Sequence, residues 1–152
     1  MNEIILSDAH SRPDLFRWNG GLGEEQVLAW ARERGWSLPA DLIAIWVATG
    51  GGDLFESETI LGPFGDPTTA DDVDSVNLAE RAQGLPDEYV VFHVGLGGFS
   101  AVRLGDLRYV QLDEKHRKGE TYASLQSWYL TALRAEYADR YGLLATPPEK
   151  AR

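Results

Sequence analysis

The residues best suited to chemistry in this sequence are six carboxylates that follow a run of glycines. They form two groups after Gly50–Gly52, and they are Asp53, Glu56, Glu58, Asp71, Asp72 and Asp74. Neighbouring carboxylates can act as a general acid and base, and several that converge can hold a calcium or magnesium ion. A solvated acidic face is the ordinary interpretation of the same pattern. The other motifs of the chain must decide between these possibilities.

A serine or cysteine nucleophile is not supported. The Gly-x-Ser-x-Gly motif of the strand-turn-helix hydrolases is absent, and Ser100 follows Gly98 and Phe99 within a predicted strand rather than at a sharp elbow. The sequence contains no cysteine, which excludes a thiol nucleophile, a disulfide framework and thiolate metal sites. The absence of these motifs favours a protein that is not an enzyme.

The two glycine-rich stretches are predicted to be turns and not phosphate-binding loops. A phosphate-binding loop lies between a strand and a following helix, and the Walker type also carries a lysine. Gly50–Gly52 instead follow a predicted helix without a lysine, and residues 95–98 lie between two predicted strands. The first run therefore ends a helix, a position that suits glycine because glycine tolerates left-handed backbone conformations.

Metal and cofactor sites are not predicted. The three histidines are His10, His93 and His116, which are scattered and form no His-x-x-x-His pair. A calcium loop that starts at Asp72 fails because Val76 stands where a ligand is required. Convergence of the carboxylates on one cation, as in a metal-dependent hydrolase, stays open as an alternative.

The two halves of the chain differ in net charge. Residues 1–76 contain 14 acidic and 4 basic side chains, whereas residues 77–152 contain 10 of each, so the net charge of −10 belongs to the first half. Nucleic-acid binding is disfavoured, because its affinity comes largely from lysine and arginine contacts to phosphates. A basic protein partner fits this distribution better, although an acidic surface also serves solubility.

Aromatic side chains are numerous, with five tryptophans, six tyrosines and five phenylalanines. Tryptophan and tyrosine are enriched at protein interfaces because they offer a large, rigid contact area with a polar tip. Trp18 and Trp46 are the candidate anchors for a partner, and Trp46 is the weaker of the two because its helix is predicted to be buried. The aromatic stripe of the last helix is expected to pack against the sheet.

Local patterns predict two helices ahead of the first acidic group. Residues 23–34 begin with acids, end with arginines and stop at Gly35, which suits the helix dipole and a glycine C-terminus. The second helix has Pro39 in its first position, is apolar on most sides and ends at Gly50, so we expect it to be largely buried. Asp53, in the first acidic group, then follows the corner made by the glycines.

Two more helices are predicted in the rest of the chain. Residues 71–83 form a helix capped by Thr69 or Thr68, and Gly84 lies beyond its end. Residues 121–141 form the final helix.

Strands account for most of the remaining chain. They are predicted at residues 59–61, 89–94, 99–104 and 107–112. Gly105 and Asp106 form a two-residue turn that closes the last two strands into an antiparallel hairpin. Residues 1–22 are irregular and residues 145–152 form a frayed tail. The sequence thus predicts one α+β domain over residues 1–152, with a mostly antiparallel sheet and helices packed on it.

Three segments resemble the SUKH superfamily. They are LPADLIAIWVATGGGDLF at 38–55, LPDEYVVFHVGLGGFSAVRL at 85–104 and YVQLD at 109–113. Members of this superfamily have a helix, then a helix that starts at Leu-Pro and ends in a Gly-Gly turn, and later strands that form the core of a sheet. The resemblance covers about residues 23–135 and implies a SUKH-like fold.

The resemblance also implies function by binding. Bacterial members are largely immunity proteins that neutralise a toxin domain, often a nuclease or deaminase, by direct contact. Fungal relatives regulate cell-wall synthesis and act as signalling scaffolds, so a scaffold that binds an endogenous enzyme is the alternative. The superfamily provides no catalytic residues. We therefore expect a protein, monomeric or weakly dimeric when free, that binds a basic toxin.

The location of the protein is predicted from two absences. The first residues have no basic flank and only three successive apolar side chains, and no apolar run is long enough to cross a membrane. We expect a cytoplasmic protein that binds neither membranes nor a cofactor.

Overall fold

A single antiparallel sheet is the centre of the structure. The computed structural model describes residues 2–65 and 69–143. In this part of the chain, seven strands lie side by side in the order of the sequence, and every neighbouring pair is antiparallel. The strands are β1 (Phe16–Trp18), β2 (Gly52–Leu54), β3 (Glu58–Ile60), β4 (Tyr89–Gly95), β5 (Gly98–Arg103), β6 (Arg108–Leu112) and β7 (Lys118–Tyr122).

Helices connect and cover this sheet. Four α-helices in the described part of the chain come before β4. α1 (Glu3–Ser11) precedes β1, α2 (Glu24–Glu33) and α3 (Ala40–Thr49) lie between β1 and β2, and α4 (Val73–Ala82) lies between β3 and β4. A 3₁₀ turn occupies Pro13–Leu15. The chain ends in one continuous C-terminal helix made of α5 (Leu125–Trp128), a π-helical segment (Tyr129–Arg134) and α6 (Ala135–Tyr141). The fold is therefore α+β, as predicted.

The pairing register separates the side chains of the sheet into two faces. Residues paired across the strands share a face, so Ile60, His93, Ser100 and Gln111 form a row on what we call the inner face. The C-terminal helix covers this row, as shown by its Trp128 ring, which lies 5.0 Å from the His93 ring. The inner face thus meets most of the helices and holds the main core.

α4 lies on the opposite, outer face of the sheet. The Asn77 side chain donates to the backbone oxygen of Val91 at 2.9 Å and accepts from its backbone nitrogen at 2.8 Å. These two bonds are made with a buried strand whose backbone groups need partners. α4 therefore attaches to the sheet through one buried amide as well as through Val73, which is fully buried.

The two helices ahead of the glycines form as predicted. α2 lies within residues 23–34, and α3 is buried through most of its length. Gly50 ends α3 with a φ of 74°, a left-handed conformation that a residue with a Cβ adopts at a cost. Pro39 precedes the first residue of α3, in the capping position, and not the first helical position.

The prediction of an irregular N-terminal segment is wrong. Residues 3–11 form α1, and residues 16–18 form the first strand of the sheet. α1 depends on distant partners: the Arg134 Nε donates to Asp8 at 2.7 Å and the Tyr129 hydroxyl donates to it at 2.6 Å. The sequence of α1 has only a short apolar side, so its local pattern is weak and contacts with the C-terminal helix stabilise it.

Three element boundaries also differ from the predictions. The helix predicted from residue 121 begins at Leu125, because Lys118–Tyr122 pair with β6 as an additional strand. The predicted two-residue hairpin turn has four residues, 104–107, and Leu107 in it has a φ of 59°. β2 was not predicted, since its glycine has a weak strand propensity.

The cap of α4 is the remaining difference. α4 begins after Asp72, whose side chain accepts from the Ser75 backbone nitrogen at 2.9 Å, so Asp72 and not Thr69 caps the helix. The alternative cap, Thr68, and the predicted tail at residues 145–152 lie outside the described residues. None of the helices in the described ranges is both long and apolar enough to cross a membrane.

Candidate functional site

Asp53 is exposed on β2, where neighbouring strands fix its position. It lies opposite Arg17 of β1 and opposite Thr59 of β3. The Thr59 hydroxyl donates to the Asp53 carboxylate at 2.9 Å. Within the described residues, no lysine or arginine nitrogen lies within 4.0 Å of this carboxylate, so a hydroxyl and not a cation holds it.

Glu56 is exposed in the turn between β2 and β3. Phe55 and Glu56 have φ values of 54° and 68°, a left-handed conformation that is costly for residues with side chains. The buried Phe55 ring compensates for this strain, because it stacks on Tyr137 with ring centres 4.9 Å apart. The Tyr141 hydroxyl donates to the Glu56 carboxylate at 2.6 Å, and this bond raises the pKa of Tyr141.

Glu58 is buried, which corrects its prediction as a surface residue. It is only 5% exposed, and its carboxylate accepts from His93 Nε2 and from the Tyr137 hydroxyl, both at 2.7 Å. Burial opposes the charge of Glu58. The hydrogen bonds from His93, Tyr137 and the Leu96 backbone outweigh that effect and lower its pKa below the ordinary value.

Gly95 allows this carboxylate to reach the β4–β5 turn. A Cβ atom at Gly95 would lie 2.0 Å from a carboxylate oxygen of Glu58. Any other residue at this position would therefore push the Glu58 carboxylate away from the Leu96 backbone. The glycine-rich turn at 95–98 has an architectural role, and the group that it accommodates is an anion of the protein itself.

The hydrogen-bond network continues from His93 across the inner face. His93 Nδ1 lies 2.9 Å from the Ser100 hydroxyl, which also accepts from the Trp128 indole at 2.9 Å. An indole only donates and a carboxylate only accepts, so the neutral histidine is assigned with Nε2–H toward Glu58. In that arrangement Ser100 donates to His93, and every group in the row has a partner.

Ser100, His93 and Glu58 have the order of a hydrolase triad but not its accessibility. A catalytic serine needs an oxygen that can reach a substrate carbonyl. Ser100 is 1% exposed, it lies within a strand, and its oxygen is already bonded to Trp128. The structure therefore gives no support to Ser100 as a nucleophile, and the network is a satisfied polar row in the core.

A pocket of about 320 Å³ opens beside this network. Its floor contains Glu58 and His93, and its walls come from the β4–β5 turn and the C-terminal helix. The lining residues are Glu58, His93, Leu96, Gly97, Gly98, Phe99, Ser100, Gln111, Ala132, Leu133, Glu136 and Tyr137. Ala132 and Leu133 belong to the π-helical segment, and such segments are frequent at functional sites.

The second acidic group lies at the start of α4, and its members have partners within the protein. Asp72 caps the helix, and Asp74 accepts from two nitrogens of Arg34 at 2.6 and 2.8 Å. Asp71 accepts from the Thr69 hydroxyl at 2.7 Å. Across residues 2–65 and 69–143, no three or more histidine, aspartate and glutamate side chains converge in a way that could hold a metal ion.

The two candidate tryptophans lie in different surroundings. Trp46 is fully buried, and its indole nitrogen donates to the Leu61 backbone oxygen at 2.8 Å, so it is not available as a surface anchor. Trp18 is half-buried and packs on Phe16 with ring centres 5.4 Å apart. Among the described residues, the most exposed large apolar side chains were not predicted: Leu96 is 78% and Leu78 is 76% exposed.

The β2–β3 turn, which carries Glu56, and the pocket lie at one end of the sheet. Asp53 lies near this end but on the outer face, because it pairs with Thr59, whose neighbour Ile60 belongs to the inner face. Thr59 pairs with Val94, so the β2–β3 turn (residues 55–57) and the β4–β5 turn (Leu96 and Gly97) lie at the same end. The hydroxyls of Tyr137 and Tyr141 reach Glu58 and Glu56 there. We call the two turns, the exposed Asp53 of β2, the pocket and α6 together the turn end. The second acidic group does not belong to it.

Sequence reasoning missed most of the residues that build the turn end. His93, Tyr137 and Tyr141 lie far along the chain from the acids they contact, and no local pattern relates them. The one usable signal was His93 within an apolar strand, because a buried histidine requires polar partners.

Comparison with known proteins leaves the family open. No protein-family model matches the chain, and no curated protein matches it. Membership of the SUKH superfamily therefore stays a prediction from the three short segments.

Proposed function

We propose that the protein binds a basic toxin domain through its turn end and neutralises it by direct contact. The resemblance to the SUKH superfamily suggests this class of function. The proposal implies a cytoplasmic location, where a producing cell must block such a toxin, and it assigns the protein no catalytic step.

The observation that carries the proposal is how the exposed acids of the turn end are held. Asp53 and Glu56 are fixed by the hydroxyls of Thr59 and Tyr141. A hydroxyl donor restricts a carboxylate without cancelling its charge, whereas an arginine neutralises it. The negative charge of the turn end therefore stays available to a partner, and its position is set in advance.

Such charges are suited to a basic partner. A nuclease that binds phosphates is basic around its active site, and acids in fixed positions can attract that surface and occupy it. Preorganised groups lose less conformational entropy on binding, which improves affinity. Leu96, exposed in the β4–β5 turn, supplies an apolar contact at the same end.

The test uses a toxin domain encoded beside the gene of this protein. We expect coexpression to restore growth and the purified pair to associate rapidly at low salt. The variant Asp53→Asn with Glu56→Lys should slow association by about tenfold or more and flatten its salt dependence. Glu58 is left unchanged, because reversing a buried charge would disrupt the fold.

A matched control changes the same charge elsewhere. Asp87→Asn with Glu88→Lys alters the net charge equally, but both residues are exposed ahead of β4, at the opposite end of the sheet. We expect this control to slow association far less. Equal slowing by both variants would show that only net charge matters, and absence of binding by the native protein would overturn the function itself.

A further inference from the structure

The pocket of the turn end has a lining that is acidic and amphipathic. Glu58 lies at its floor and Glu136 at its wall, and none of the lining residues is a lysine or an arginine. Hydrogen bonds hold the Glu58 pKa low, so this floor carries a negative charge at neutral pH. A cation entering the pocket would therefore meet two carboxylates and no like charge in the lining.

The walls suit the stem of a long side chain. Leu96 and Leu133 supply apolar surface. Arginine and lysine bury an aliphatic stem against apolar groups and keep the charged group on polar ones. Arginine also matches carboxylates in a planar, two-pronged geometry and stacks on aromatic rings.

The protein already shows this stacking at the edge of the pocket. Its own Arg140 lies over the Tyr137 ring, with the guanidinium carbon 5.2 Å from the ring centre. Arg140 is not part of the lining, so it leaves the space beside Glu58 and Glu136 open. Phe55 and Arg140 already pack on the Tyr137 ring, so a cation that enters the cavity would meet the carboxylates and the apolar walls.

We propose that this pocket receives an arginine side chain of the partner, with the guanidinium directed to Glu58 and Glu136. The inference rests on the proposed function, because the occupant belongs to the basic toxin domain. Asp53 and Glu56 then attract the partner over a distance, and the pocket provides the specific contact. Leu96, at the rim, covers the stem of the inserted side chain.

A small probe tests the chemistry of the pocket without any toxin. N-acetyl-arginine amide carries the guanidinium, and N-acetyl-citrulline amide has nearly the same shape with a neutral urea. We expect nuclear magnetic resonance titrations of the full chain to shift the Trp128 indole proton, with an affinity on the order of millimolar. The citrulline probe should bind about tenfold more weakly, because charged hydrogen bonds contribute more than neutral ones.

Two variants locate the binding in the pocket. Gly97→Val adds a branched side chain at the mouth, where a Cβ atom would meet nothing within 4 Å, so the fold tolerates it and the entrance narrows. It should abolish the shift of the indole proton. Glu136→Gln should weaken the arginine probe by about two- to fivefold. Asp139→Asn, on the same helix and outside the lining, is the matched control and should change nothing.

The outcomes separate this inference from the proposed function. Equal binding of the two probes, or unchanged binding by Gly97→Val, would overturn the cationic pocket whatever the toxin assay gives. A toxin domain that binds Gly97→Val as tightly as the native protein would overturn the inserted arginine and leave the proposed function standing. Loss of toxin binding in Gly97→Val, together with selective binding of the arginine probe, is the expected result.

Discussion

The two acidic groups that follow the glycine run differ in what holds their carboxylates. In the second group, Asp72 is used by the backbone of α4 and Asp74 by Arg34. In the first group, hydroxyls of Thr59 and Tyr141 hold the exposed acids, and a tyrosine and a histidine hold the buried one. Asp74 is therefore neutralised and Glu58 is used in the core, whereas Asp53 and Glu56 keep their charge at the surface. Asp71 also keeps its charge, because its partner is the Thr69 hydroxyl.

The physical difference lies in the donors. An arginine cancels the charge that it binds, so Asp74 contributes to a contact between α2 and α4 and presents little field to a partner. Tyrosine and threonine hydroxyls carry no charge, so the turn end stays negative. Acidic composition alone does not identify a binding surface, because the partner of each acid decides how much charge is left.

Replacing Glu58 should have the largest effect on stability. Glu58→Ala leaves the His93 ring nitrogen and the Leu96 backbone N–H without their acceptor in the core, and it leaves the Tyr137 hydroxyl with only Ser57 as a partner. Unpaired buried donors are costly, so we expect the free energy of unfolding to fall by about 3 kcal/mol or more. Urea denaturation measures it, and a loss below about 1 kcal/mol would contradict the buried network.

Measuring stability at acid pH tests whether the loss in Glu58→Ala comes from the charge of Glu58. The Glu58 pKa is lower in the folded protein than its ordinary value of 4.5, so its ionised form adds stability above pH 4.5. This contribution is lost as the pH falls through the folded pKa. The difference in stability between the native protein and Glu58→Ala should therefore shrink at acid pH and stay constant near neutrality.

Replacing two tyrosines by phenylalanine compares how much the bond to a buried acid and the bond to an exposed acid contribute to stability. Tyr137→Phe removes a donor from buried Glu58 and should lower the free energy of unfolding by about 1–2 kcal/mol. Tyr141→Phe removes the donor from exposed Glu56 and should cost less than about 0.5 kcal/mol. The two variants make the same chemical change on one helix. Equal losses of stability in thermal or urea denaturation would therefore contradict the assignment of Glu58 as buried and Glu56 as exposed.

Removing the cap of α4 should cost less than removing Glu58. Asp72→Ala removes the acceptor for the Ser75 backbone nitrogen and should destabilise the protein by about 1 kcal/mol. Asp71→Ala, its neighbour, should change stability by less than about 0.5 kcal/mol, because its one bond is exposed. Neither variant should alter toxin association as much as the change at Asp53 and Glu56, which surface plasmon resonance would measure.

Several elements were predictable because their signals are local. α2 has acids at its start and a glycine after its end, and α3 is a continuous apolar helix closed by Gly50. β4 is an apolar run of the length of a strand. Such features depend on residues within a few positions of one another, which is the range that patterns in a sequence report.

The elements that were missed depend on distant contacts. α1 needs Arg134 and Tyr129 as partners for Asp8, and β7 has the polar sequence of an exposed strand that only its pairing with β6 defines. The position of Glu58 was wrong for the same reason. Its burial requires His93, and nothing in the residues around Glu58 indicates that a histidine lies opposite.

The sequence by itself determined the charge of −10, its concentration in the first half, the corner at Gly50 and the helices and strands with strong local periodicity. The tertiary structure alone decided which acids stay charged at the surface, which one lies in the core, and that the C-terminal helix and the β4–β5 turn enclose a pocket beside it. The physical reason is that composition is a property of single residues. Burial and hydrogen-bond partners, in contrast, arise from strands and helices that meet only in the folded chain.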